Sequence, residues 1–138
     1  MATFQFFDSF KETILEKQVN FAADTLKLML SNTAPNVSTG QTSADITEIT
    51  AGNGYPAGGM SLANVTSTQT AGVGKVDADD VSLTASGGSI GPFRYAVLYS
   101  STADRLICYW DLGSSQTLSD GSTRSFIFDS NGIFTVTG

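Results

Sequence analysis

The chain has 138 residues, close to the commonest size of a single domain, and a chain of that length buries roughly two thirds of its unfolded surface. It is 41% hydrophobic but only 14% charged, against about 25% in an average globular protein, with Ser, Thr, Gly and Asn in place of the missing charge. The formal net charge is −6 and the seven basic residues are scattered, which argues against a protein that grips a phosphate backbone through clustered cations.

There is no histidine and one cysteine, Cys108, so the chain has no internal disulfide, in keeping with assembly in a reducing cytoplasm. The opening "MATFQFFDSFKE" lacks the positive region, unbroken apolar run and small-residue cleavage site of a signal peptide. No apolar stretch is long enough to span a bilayer, so neither a membrane nor a nucleic acid is expected as a partner.

Residues 4 to 21 carry the only helix-like pattern. Phe7, Phe10, Ile14 and Leu15 recur at helical spacing, with Asp8 or Ser9 placed to cap, which predicts a short amphipathic helix over about 8–17 after an extended "FQFF" arm. Phe4, Phe6, Phe7 and Phe10 are candidates either for the core or for an interface with another subunit, core packing being the commoner fate of each ring. Residues 1–22 are read as arm and helix of the same domain as a β-sandwich over 23–138.

From residue 24 the apolar period becomes two. "TLKLMLS" puts Leu26, Leu28 and Leu30 on one face, and "FRYAVLYS" does the same with Phe93, Tyr95, Val97 and Tyr99. "RLICYWDL" is apolar on both faces and reads as a central strand, while "SFIFD" and "IFTVT" close the chain. Turn signals fall between them at Asn36 to Gly40, Asp77 to Asp80 and Gly87-Gly88; "SDGS" and "DSNG" are expected to close hairpins, the latter through a type I′ turn at Asn131-Gly132. The expected fold is all-β: one antiparallel sandwich, with a jelly roll as the favoured topology, and one short N-terminal helix. Its expected core includes Leu26, Leu28, Leu30, Phe93, Tyr95, Val97, Ile107, Phe126 and Phe128.

The glycine-dense stretch "ITAGNGYPAGGMSL" imitates a phosphate cradle and fails its tests. Gly52, Gly54 and Gly58 are spaced G-x-G-x-x-x-G rather than G-x-G-x-x-G, and a strand-like run follows instead of a helix. Gly74-Lys75 has Gln69 where a P-loop has its first glycine, and Val76 where it has Ser or Thr. The stretch is therefore a loop whose glycines supply positive φ and whose Tyr55 pins it to the body.

The catalytic inventory is thin. Without histidine there is no Ser-His or Cys-His pair, and Cys108 within an apolar alternation reads as a small buried hydrophobe. Asp77, Asp79 and Asp80 lack the glycine and glutamate of a calcium loop and read as a solvated turn. The chain is read as no enzyme, with no cofactor and no metal.

The ordered series "FDSFKETILEK", "DTLKLMLSN", "DITEITAGNGYPAGGMSL", "VSLTA", "FRYAVLY", "RLICYWDLGSSQTLSDGS" and "FIFDSNGIFTV" resembles the head decoration (cement) proteins of tailed bacteriophages, of jelly-roll type. The likeness runs over nearly the whole chain and is most specific at "DTLKLML", "NGYPAGG" and "NGI". It implies a virion protein made in the host cytoplasm that sits on the outer face of the capsid as a small homo-oligomer and clamps neighbouring major capsid subunits; a dimer is favoured over a trimer because pairing about a two-fold axis protects the edge strands of a small sandwich. It carries over no catalytic residue and no binding motif. The rival expectation is a tail-fibre or tail-tip sandwich that binds host glycan, with Trp110, Tyr55 or Tyr109 as a stacking platform.

Overall fold

The computed structural model describes residues 3–137, so the expected domain bounds at residues 1 and 138 lie outside it. The elements in chain order are β1 (Thr3–Phe6), α1 (Asp8–Leu15), β2 (Leu26–Ser31), a single 3-10 turn (Ser43–Asp45), β3 (Met60–Ser61), β4 (Thr66–Thr70), β5 (Val73–Asp77), β6 (Val81–Thr84), β7 (Ile90–Ser100), β8 (Arg105–Leu118), β9 (Thr123–Phe126) and β10 (Phe134–Val136). All sheet pairings are antiparallel, and the protein is all-β with one short α-helix.

A five-stranded sheet in the order β1-β8-β7-β2-β3 forms the body, beside a three-stranded sheet β10-β5-β4 and a pair β6-β9. Register puts Leu30 beside Ala96 and Trp110, and Leu28 beside Leu98 and Cys108, so these residues share one face of the large sheet. That face packs on β6-β9 and on Phe134, whose ring meets Phe6 at 5.2 Å. The opposite face holds Val97, Tyr99, Ile107 and Tyr109, and is covered by the long segment between β2 and β3: Tyr99 Oη donates to Gly58 O at 2.6 Å. Sandwiched this way, β7 is buried on both faces from Tyr95 to Ser100.

The alternation identified the core residues with one exception. Leu26, Leu28, Leu30, Phe93, Tyr95, Val97, Ile107 and Phe126 are buried, whereas Phe128 is half-buried because β9 ends at Phe126 and the chain turns outward. Strand β8 is interior, as its two apolar faces led one to expect: β1 pairs with one edge and β7, the middle strand of the five, with the other.

The helix begins where expected but stops at Leu15, because Lys17 takes φ +60 and unwinds the chain. Neither Asp8 nor Ser9 caps it; Phe7 occupies that place with no side-chain cap bond, and the Asp8 N–H donates instead to Val37 O at 3.1 Å. Only Phe10 and Thr13 of the helix are buried, and Leu15 is 86% exposed.

Two expected hairpins are turns that part their strands. At "DSNG" the Gly132 N–H donates to Asp129 O at 2.8 Å, but β9 goes to β6 while β10 goes to β5. At "SDGS" the Ser122 N–H donates to Ser119 O at 2.9 Å, yet β8 pairs with β7 and β9 with β6. The type I′ hairpin lies elsewhere, at Ala71 (φ 52) and Gly72 (φ 84) between β4 and β5. These pairings leave the jelly-roll topology without support.

Candidate interaction surface

Loop 46–59 is held by a buried polar clamp. Tyr55 is 1% exposed; its hydroxyl accepts from Leu30 N at 3.0 Å and donates to Glu48 Oε2 at 2.7 Å, and that oxygen also accepts from Gly58 N at 2.8 Å. The bond to Leu30 replaces a strand partner: β3 pairs only with Lys27 and Leu28, so the next outward-facing backbone group of β2 is met by a side chain. Burial, reinforced by the Glu48 carboxylate, pushes the Tyr55 hydroxyl far above the ordinary tyrosine range. A Cβ on Gly59 would stand 2.3 Å from Leu28 O, and one on Gly54 2.3 Å from Thr84 O. These glycines bring backbone against backbone, which leaves no cradle for a phosphate.

The three aspartates of the expected turn do separate structural work. Asp77 accepts from Ala78 N at 2.8 Å, Asp79 from Asn64 Nδ2 at 2.6 Å and Asp80 from Phe128 N at 2.9 Å. Among the described residues no group of three or more His, Cys, Asp or Glu side chains is placed to hold a metal ion. Cys108 is fully buried, and burial pushes its thiol well above the usual range.

The N-terminal phenylalanines divide by depth. Phe7 and Phe10 belong to the core, Phe7 tilted on Tyr109 at 5.5 Å and Phe10 on Phe134 at 5.7 Å, and present no surface to a partner. Phe4 and Phe6 are half-buried on β1, an edge strand that pairs with β8 from Thr3↔Asp111 to Phe6↔Cys108. Of the expected stacking rings, Tyr55 is sealed inside the clamp. Tyr109 and Trp110 are half-buried, Trp110 lying between Phe4 at 5.5 Å and Phe128 at 5.7 Å. Beside Trp110 opens a cavity of about 110 Å³ lined also by Arg124, Phe126 and Phe128.

The most exposed structured part of the molecule is one that the sequence reading did not single out. All five side chains of β4 are exposed, and of β5 only Val76 is buried. Phe134 and Val76 hold one face of this sheet to the body, and the same face runs on through Gly74, Val136 and Gln69 beside Ile14 and Phe21 to make a shallow apolar groove. The signal was present in "TSTQTAGV", where Thr alternates up to an Ala-Gly pair, but Asn-Gly and Asp-Gly are the stronger marks of such turns.

No family model, curated protein or solved structure matches this chain.

Proposed function

We propose that the chain is a structural virion protein: a decoration protein that clamps neighbouring major capsid subunits on the outer head surface of a tailed phage and acts as a homo-oligomer. The observation that carries the reading is the β4-β5 hairpin, a structured element whose side chains contact solvent on both faces and contribute one residue, Val76, to the core. Such a projection adds little to protomer stability and offers area, which is what a clamp repeated over a lattice works by. The sequence resemblance gives the class of lattice. The net charge of −6 suits the outside of a shell better than the side facing packaged DNA.

The test is a cryo-EM map of the virion together with cosedimentation of the purified protein with heads. Density on the capsid surface and saturable binding are expected; density only in the tail or inside the shell would refute the reading. A second reading, glycan binding, draws on the cavity beside Trp110. Glycan-array binding that Trp110→Ala abolishes without loss of fold would favour it.

A further inference from the structure

We infer that β4 is the dimerisation edge: two copies pair β4 against β4, antiparallel about a two-fold axis through Thr68, joining two three-stranded sheets into one of six strands. The inference deepens the homo-oligomer of the reading above and rests on it.

Edge strands are normally blunted by shortness, charge, proline or a bulge. Among the described residues the other edges are shorter than β4: β3 has two residues, β10 three, and β1, β6 and β9 four each. Strand β4 is five residues long, carries no charge and no proline, and pairs with β5 in unbroken register from Thr66↔Asp77 to Thr70↔Val73. It has none of the protections that keep an edge monomeric.

The strand is also its own complement. A two-fold interface sets each residue against its mirror position, so a strand that pairs with itself must match about its centre. Thr66-Ser67-Thr68-Gln69-Thr70 does so: Thr68 meets Thr68 of the second copy, Thr66 meets Thr70, and Ser67 meets Gln69. Three Thr–Thr pairs then line one face, a favourable cross-strand combination, and no like charges stand opposite each other.

Backbone geometry fits the same axis. In a two-residue hairpin the residues flanking the turn exchange both backbone bonds, and every second residue away from it does likewise. Thr70, Thr68 and Thr66 therefore bond to β5, while Ser67 and Gln69 turn their N–H and C=O outward. Those are the groups that an axis through Thr68 brings together. The nearest charges lie on β5, Lys75 across from Thr68 and Asp77 across from Thr66, and of the two Lys75 is level with the axis. With strands about 4.8 Å apart, the two Lys75 stand three spacings, roughly 14 Å, from each other, beyond the screening length of about 8 Å at physiological salt.

The pairing is tested on the purified full chain. Sedimentation at tens of micromolar should give twice the 14.5 kDa of one chain. Thr68→Cys should cross-link into a covalent dimer on mild oxidation, because opposed residues of a non-hydrogen-bonded pair have Cα atoms about 4.5 Å apart, within disulfide range. The native Cys108 is buried and does not compete. Thr66→Cys, whose opposite residue is Thr70, should not cross-link. Ser67→Pro removes an outward N–H and should weaken the dimer at least tenfold with an unchanged far-UV spectrum. A wild-type monomer would overturn both this pairing and the oligomer reading. A dimer that survives Ser67→Pro, or equal cross-linking by Thr66→Cys and Thr68→Cys, would overturn the pairing alone and move the interface to another surface. Cosedimentation with heads reads capsid binding separately.

Discussion

Replacing Tyr55 by Phe removes one oxygen from the centre of the loop clamp and keeps the ring, so no cavity opens. Two bonds are lost. Leu30 N, at a residue with 0% exposure, is left without the acceptor that Tyr55 supplied at 3.0 Å, and stranding a buried donor costs about 1–3 kcal/mol. The bond to Glu48 Oε2 at 2.7 Å is charge-assisted, but Glu48 keeps Gly58 N as a donor and is not stranded, so this loss is that of an ordinary hydrogen bond, about 1 kcal/mol. The expected cost is thus roughly 2–4 kcal/mol, or about 6–16 °C in Tm for a chain of this size. Urea unfolding followed by far-UV circular dichroism and Trp fluorescence measures it, with the m-value expected to stay constant. The same side chain sets an alkaline limit. Its folded-state pKa is raised, so its contribution is full below about pH 10, the ordinary tyrosine value, and is lost as pH rises beyond it. Tyr55→Phe should therefore flatten the fall in stability above pH 10. A loss below about 1 kcal/mol at neutral pH, with the same alkaline slope as the wild type, would refute the clamp as the loop's anchor.

Two further outcomes follow from backbone and charge. Gly59→Ala forces a Cβ to within 2.3 Å of Leu28 O at φ +99, whereas Gly72→Ala at φ +84 meets nothing within 4 Å; the first should cost at least about 3 kcal/mol and the second about 1 kcal/mol in chemical denaturation. Asp111 accepts from Arg94 Nε at 2.8 Å and Nη2 at 3.1 Å and from Gly113 N at 2.9 Å, and the guanidinium holds its carboxyl below the usual range. The stability this lends is present above the ordinary carboxylate pKa of about 3.9 and is lost as pH falls through the lower folded value, so Asp111→Asn should lower the urea midpoint at pH 6 and make its acid decline shallower.

Local pattern was sufficient wherever a single strand could decide its own fate. Alternation placed Leu26, Leu28 and Leu30 and Phe93, Tyr95 and Val97 inside, where they lie, but the residues alternating with them, Met29, Ala96 and Leu98, are buried too, because a second layer covers the other face and that is a tertiary matter. The failed G-x-G-x-x-G spacing around Gly54 excluded a phosphate loop for a local reason, and the thin acid-base inventory is a matter of composition. Pairing is not local. Asn131-Gly132 and Asp120-Gly121 both form turns, but whether a turn closes a hairpin depends on where each flanking strand finds its apolar partners, and here β6 and β5 capture strands that sequence order would have joined to each other. Depth is decided the same way. Phe7 and Phe10 go to the core and Phe4 and Phe6 to its margin because β1 docks on β8, a contact between residues about a hundred positions apart. Tyr55 was legible as a pin, but its partners Glu48, Leu30 and Gly58 come from segments that only the folded chain brings together. The exposure of β4 was least legible of all: "TSTQT" has the period of a strand with neither face apolar, and its place at the open end of a sheet follows from β5 taking β10 on one side and β4 on the other, with no strand paired beyond β4 among the described residues.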